Sequence, residues 1–225
     1  MKHSLFVLLL LPFIVSAQVM SEKQLNIFTL GDSNGTFPWS WPQQLKLALP
    51  NATVFNISKS GRTIGFVNLG DTTLNSLFVI DDNLRKAAEN THERPYDYIV
   101  VELGTNDAKA VFSPRQKDVP ANLQKLIQKI KSSSYPSIRA AKIIIISPPP
   151  YGSKALATEK YYGGDKRVEK MSRKFKHIAK RNHCLFVNGY KTPGLDINGM
   201  TPDGLHLDAV GSRKLIEPVV RLMTN

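Results

Sequence analysis

Leu25-Asn26-Ile27-Phe28-Thr29-Leu30-Gly31-Asp32-Ser33-Asn34 decides how this chain reads. An apolar, β-branched run stops abruptly at Gly31-Asp32-Ser33, the pattern of a strand ending in a turn. Open α/β sheets hold their ligands at the carboxyl edge of the strands, so Ser33 is a candidate nucleophile. Its expected partners come far later, in Asp203-Gly204-Leu205-His206.

Working outward, five short apolar runs read as strands: residues 26–30, 53–57, 98–103, 142–147 and 185–187. Stretches with helical periodicity separate them, at residues 75–89, 119–131, 166–181 and 208–223. Alternating strands and helices imply right-handed crossovers and a parallel sheet covered on both faces. The expected fold class is therefore α/β, a three-layer α/β/α sandwich around a five-stranded parallel sheet. Pro218 is expected to kink the last helix or end its first half, because it removes a backbone donor. Ser147-Pro148-Pro149-Pro150 stops the fourth strand, and residues 151–165 then read as an irregular loop at the catalytic edge.

The amino terminus has a different character. Residues 1–17 carry one lysine, an apolar run over residues 5–15 and the small-residue ending Val15-Ser16-Ala17, the pattern of a cleaved signal peptide. The run is too short to span a bilayer, which takes roughly 20 apolar residues. Residues 18–225 are expected to form one domain of a secreted or periplasmic protein. The single cysteine, Cys184, cannot make an internal disulfide and reads as a small core hydrophobe.

The net charge of +12 is concentrated between Lys166 and Arg181, where eight Lys or Arg accompany one acid, Glu169. Val168, Met171, Phe175, Ile178 and Ala179 share a helical face, which makes the cations the solvated side of an amphipathic helix. That side can also attract an anionic polysaccharide or membrane surface. The export signal and the lack of a recognition motif argue against nucleic acid.

Four short motifs fall at successive strand ends: Gly31-Asp32-Ser33, Ser60-Gly61-Arg62-Thr63, Gly104-Thr105-Asn106-Asp107 and Asp203-Gly204-Leu205-His206. In this order they resemble the SGNH, or GDSL, hydrolase superfamily over nearly the whole of residues 18–225. Leu103-Gly104-Thr105-Asn106-Asp107-Ala108-Lys109 and the later Ser-Pro-Pro-Pro are most similar to its bacterial arylesterase and acyltransferase branch. The resemblance implies a flavodoxin-like sheet and a serine esterase mechanism without metal. It also implies that Ser33 is the nucleophile, Gly61 and Asn106 bind the oxyanion, Asp203 orients and His206 is the base. Asn34 stands where the family block has leucine, a departure expected to change the pocket beside the nucleophile.

Elementary chemistry agrees with those roles. A serine hydroxyl needs an imidazole to take its proton, and His206 is the best placed. His3 lies in the leader, His92 in a polar run, and His177 and His183 in the basic helix or at its end. Asp203, three residues before His206, can reach the imidazole through a turn and fix its tautomer. The Ser33 N–H, the unobstructed backbone of Gly61 and the Asn106 amide can together hold a developing oxyanion. Asp107 reads as structural.

Several alternatives drop out. Gly31-Asp32-Ser33-Asn34-Gly35 matches the nucleophile elbow of α/β-hydrolases, yet only one strand fits before Ser33, and that elbow follows several. No H-E-x-x-H, cysteine pair, Walker loop or dinucleotide fingerprint occurs, so no metal or cofactor is implied. Trp39 and Trp41, both just after the nucleophile, and Tyr151 are candidate substrate contacts through ring stacking. Asn34, Asn51 and Asn56 open N-glycosylation sequons, and a glycan on Asn34 would obstruct Ser33. The sequence thus reads as an exported serine esterase for short acyl groups, acetyl above all, carried on a carbohydrate. A lysophospholipase or thioesterase and a catalytically silent carbohydrate-binding module are the competing readings.

Overall fold

The computed structural model describes residues 24–91 and 94–224, so the leader-like segment 1–17 lies outside the described residues. The strands are β1 (Asn26–Gly31), β2 (Thr53–Asn56), β3 (Tyr98–Glu102), β4 (Lys142–Ile146) and β5 (Leu185–Val187). The α-helices are α1 (Trp41–Ala48), α2 (Ser76–Asn90), α3 (Asp118–Lys131), α4 (Pro136–Arg139), α5 (Ser153–Leu156), α6 (Gly164–Arg181) and α7 (Ala209–Thr224). The strands form one parallel sheet in the order β2-β1-β3-β4-β5. This is the flavodoxin-like order, whose switch point lies between β1 and β3. Ser33 follows the first of these strands and Asn106 the second.

The alternation of side chains along each strand divides the core between two faces. Phe28, Leu30, Ile99, Val101, Ile143 and Ile145 point into the cluster beneath α2, α3 and α6. Ile27, Val100, Ile144 and Ile146 point the other way, under the packed pair α1 and α7. Both faces are apolar because both are covered, which is why these strands read as continuous hydrophobic runs. Each such side chain, fully buried, contributes on the order of 1.5–3 kcal/mol.

Two expectations need correction. Residues 151–165 are not an irregular loop: they hold α5, a 3-10 turn at Glu159–Tyr161 and the start of α6. This segment folds because it is docked. The Gly152 N–H donates to the Gly204 carbonyl at 2.8 Å, and the Ser153 N–H and hydroxyl both donate to Asn198 Oδ1. Nor does Pro218 end α7, which runs on to Thr224. One lost backbone bond and the ring clash cost about 3 kcal/mol, and burial of Leu215, Ile216, Val219 and Met223 along the helix offsets it. Cys184 is free and half-buried just before β5.

Candidate active site

Ser33 opens a 3-10 turn, Ser33–Gly35, directly after β1. Asp32 caps that turn, its Oδ1 accepting the Asn34 N–H at 3.0 Å. His206 lies 173 residues away in sequence, in the loop before α7, yet its Nε2 is 3.0 Å from Ser33 Oγ. Its other ring nitrogen, Nδ1, is 2.6 Å from Asp203 Oδ2. Asp203 Oδ1 meanwhile accepts the N–H groups of Leu205 (2.9 Å) and His206 (2.8 Å), closing the turn that the three-residue spacing allowed. Gly204 sits inside this turn at φ +78°, and a Cβ there would meet the Ala155 nitrogen at 2.8 Å. Only glycine fits.

Asp203 does not cap the last helix. That task falls to Asp208, whose Oδ1 accepts the Gly211 N–H at 2.8 Å. Burial alone would raise the Asp203 carboxyl, but the backbone and ring donors of His206, then the Leu205 N–H, outweigh it, and the group lies below its ordinary value. Asp203 therefore stays a carboxylate at neutral pH. A carboxylate on Nδ1 places the imidazole's acceptor at Nε2, facing the serine, the arrangement that can remove a hydroxyl proton.

Gly61 and Asn106 come from the loops after β2 and β3, on either side of the switch point. Gly61 takes φ +81°, a left-handed conformation suited to glycine. The two loops are stitched to each other by side chains. Asn106 Nδ2 donates to the Arg62 carbonyl at 3.0 Å, which occupies one of its two amide hydrogens. Asn68 Nδ2 donates to the Gly61 carbonyl at 2.6 Å, and Lys109 Nζ donates to Asn68 Oδ1 at 3.3 Å. Both Asp107 oxygens accept the Ile64 N–H, at 3.1 and 3.0 Å.

Several ionisable groups buried here are shifted, three carboxyls and a lysine among them. Burial raises Asp107 to about 7 against its backbone donors. Burial likewise raises Asp32 to about 6, opposed by the Asn34 N–H and by the nearby His206 and Lys109. Lys109, 3% exposed, is lowered to about 8 by burial and then by Lys160. Glu102, at the end of β3, is pushed far up by burial and by the neighbouring Asp32. Neither Glu102 carboxyl oxygen has a hydrogen-bond partner among the described residues, and burial with the neighbouring Asp32 favours its neutral form.

The three aromatic candidates separate. Trp39 is 44% exposed and stacks on Phe37, ring centres 5.4 Å apart and planes at 8°, while Phe37 meets the His206 ring edge-on at 5.5 Å. An aromatic ledge thus stands beside the imidazole, anchored by the Trp39 indole N–H on the Leu207 carbonyl at 3.2 Å. Trp41 is not a substrate contact. It is wholly buried at the start of α1, packed in the core with Ile27 and Leu45, because the first turn of that helix faces the sheet. Tyr151 is not presented either: only 3% exposed, it donates its hydroxyl to the Thr105 carbonyl, bracing the loop that carries Asn106.

Asn34 also corrects the reading from sequence. It is 1% exposed, turned into the fold. Its Nδ2 donates to the Leu205 carbonyl at 3.3 Å and its Oδ1 accepts the Leu207 N–H at 2.9 Å, so the residue after the serine clamps the peptides on both sides of His206. A polar residue in place of the family's leucine was the available signal. With its amide nitrogen bonded inside the fold, Asn34 has no room for a glycan. Asn68 was missed outright, for nothing in its sequence setting distinguishes it from a loop residue, while Phe37 and Lys109 stand in stretches the sequence singled out but received no role of their own. Among the described residues no group of three His, Cys, Asp or Glu is placed to hold a metal ion.

Residues 28–214 match the GDSL-like lipase/acylhydrolase family. The chain belongs to that family. Its GDSL-family fold recurs in solved structures, each covering 88% of this chain and 98% of the other. Est24, a carbohydrate acetylesterase from Sinorhizobium meliloti, is 19% identical with a TM-score of 0.74. A carbohydrate acetylesterase family member from the same organism is 27% identical with a TM-score of 0.72. The aryl esterase of M. smegmatis is 22% identical with a TM-score of 0.74. No protein among the curated sequences compared matches the chain. As a family member with this fold, the protein is a carboxylic ester hydrolase.

Proposed function

We propose that this esterase is exported and removes short acyl groups, acetyl above all, from carbohydrate hydroxyls through an acyl-enzyme. The observation that carries the reading is the unbroken relay from Asp203 through His206 to Ser33 Oγ, at 2.6 and 3.0 Å. Ser33 Oγ attacks the ester carbonyl carbon while its proton passes to His206 Nε2. The negative charge moves to the carbonyl oxygen, where the N–H groups of Ser33 and Gly61 and the second amide hydrogen of Asn106 stabilise it. The bond to the alcohol oxygen breaks as His206 returns the proton to that oxygen. Water, deprotonated by the same imidazole, then releases the acid and restores the serine.

Because His206 protonates the leaving oxygen, the alcohol must lie on its side of the serine. There it meets the ledge of Phe37 and Trp39, whose exposed indole face suits a sugar ring or an aryl group. The carbohydrate acetylesterases and the aryl esterase that share the fold support this choice of alcohol. Export rests on the leader-like residues 1–17. Among the described residues no helix is long and apolar enough to cross a membrane.

A fluorophosphonate should label the wild type at Ser33, and Ser33→Ala or His206→Ala should abolish hydrolysis of p-nitrophenyl acetate while the circular dichroism is retained. A silent carbohydrate-binding module would not react with the label. Wild-type turnover by purified Ser33→Ala would end the assignment. A lysophospholipase or thioesterase would react but prefer long acyl chains.

A further inference from the structure

The basic helix α6 does more than face solvent, because it forms one wall of a groove whose other wall is the start of α3. The groove is two adjoining concavities of about 360 and 740 Å³ that share Lys117, Pro120 and Lys174. Lys170 and Arg167 line the first, and Lys180 and Arg181 the second. No acidic residue lines either. The two acids nearest in sequence are neutralised elsewhere: Asp118 pairs with Arg115 at 3.3 Å and Glu169 with Arg173 at 2.6 Å. Lys117, Lys170, Lys174, Lys180 and Arg181 are exposed and form no ion pair among the described residues. Excess cation concentrated along a concave surface raises the local concentration of an anionic ligand.

Direction ties the groove to the catalytic edge. Helix α6 begins there and runs back along the sheet, so its cations step away from the site. Lys170, Lys174 and Arg181 follow one another by four and seven residues, a stripe roughly 16 Å long at 1.5 Å per residue. At the near end Arg167 Nε donates to the Ala108 carbonyl at 2.7 Å, two residues after Asn106. A linear polyanion lying along the stripe would run toward the sheet edge that carries the catalytic loops.

We propose that this groove is an exosite for an acidic polysaccharide, and that the acyl groups removed at Ser33 are borne by that polymer. This deepens the carbohydrate esterase reading and rests on it. A concave, chain-length channel fits a polymer better than the plane of a bilayer. Binding in a membrane interface also needs apolar residues to insert. Those of α6, namely Val168, Met171, Phe175 and Ile178, are buried in the core, and none of the large exposed hydrophobics lies on α3 or α6.

The test uses purified wild type and a variant carrying Lys117→Gln, Lys170→Gln, Lys174→Gln and Lys180→Gln, none of which touches the catalytic groups. Wild type should bind polygalacturonate at low salt and release it steeply as salt rises, since exposed charges are screened. The variant should lose that binding, and its KM on acetylated polygalacturonate should rise about tenfold or more, the scale of such charge focusing. Its kcat/KM on p-nitrophenyl acetate should match wild type. An unchanged KM on the polymer overturns the exosite, and so does salt-insensitive binding. Binding to phosphatidylglycerol vesicles through the same lysines, without binding to polygalacturonate, overturns it in favour of a membrane. Failure of wild type to hydrolyse p-nitrophenyl acetate would strike the esterase reading instead, leaving groove binding to be judged alone.

Discussion

Replacing Asn34 by leucine, the residue of the GDSL block, should damage this enzyme although it restores the family's pattern. The side chain makes two bonds, to the Leu205 carbonyl at 3.3 Å and from the Leu207 N–H at 2.9 Å, and these peptides flank His206. Leucine can make neither, and both partners lie on residues no more than 5% exposed. Each buried backbone group left unsatisfied costs about 1–3 kcal/mol, so the loop stands to lose about 2–6 kcal/mol of local stability. Typical domains hold only about 5–15 kcal/mol in total. The Asp203 turn and the Gly152–Gly204 bond still hold the loop, which should shift rather than unfold. A misplacement of about 1 Å in a catalytic group can cost about 10²-fold, so kcat should fall about 10–100-fold with KM within about twofold. The assay is p-nitrophenyl acetate kinetics alongside thermal melting and the rate of fluorophosphonate labelling, which should slow with kcat. Leu126→Ala in the core of α3 is the control: it should lower the melting temperature and leave kcat intact. Should Asn34→Leu lose stability but keep wild-type kcat, the clamp has no role in placing His206. Asn34→Asp keeps the acceptor for the Leu207 N–H and sets an oxygen against the Leu205 carbonyl, so it too should lower kcat.

Asn106→Ala should lower kcat by about 10²–10³ with little change in KM, the usual cost of one oxyanion donor; a raised KM at unchanged kcat would make it a substrate contact. On a shared leaving group, kcat/KM should peak between acetyl and butyryl and fall by octanoyl, and a maximum at eight or more carbons would favour the lipid-directed reading. A deep channel would instead add up to about 0.8 kcal/mol per buried methylene. Asp107, raised by burial to about 7, binds its proton more tightly folded than unfolded, so its contribution is complete at low pH and is lost as pH climbs through about 7. Stability should therefore fall by about 2 kcal/mol from this group between about pH 5 and 7, and Asp107→Asn should flatten that slope in urea melts. An unchanged slope would show that Asp107 is not buried in its neutral form.

The strands were legible to within a residue or two: burial on both faces leaves continuous apolar runs in the central strands β1, β3 and β4, and Gly or Ser closes each of these. The Asp203 to His206 spacing was legible because it is local, a turn within four residues. What failed was direction. Trp39 and Trp41 are two residues apart and alike in sequence, yet one faces solvent and the other the core, since only the docking of α1 against α7 fixes which way each points. Tyr151 failed for the same reason, and residues 151–165 because their order comes from bonds to Asn198 and Gly204, some fifty residues on.

The stitching of the catalytic edge shows why motif reading finds the reacting groups and misses their supports. The ends of β1 and β3 each deliver one reacting group and one polar side chain that bonds another loop's backbone. Ser33 is followed by Asn34, which holds the His206 loop. Asn106 is followed by Asp107, which holds Ile64 close behind Gly61. Gly61 itself is held by Asn68. Such cross-bonds satisfy backbone groups that the sheet ladder no longer reaches, and they fix the loops without adding apolar bulk near the substrate. A supporting Asn or Asp can occupy any position from which an amide or carboxylate reaches the neighbouring peptide. The reacting atoms have no such latitude, so their spacing is visible in the chain while their scaffolding appears only once the loops are folded together.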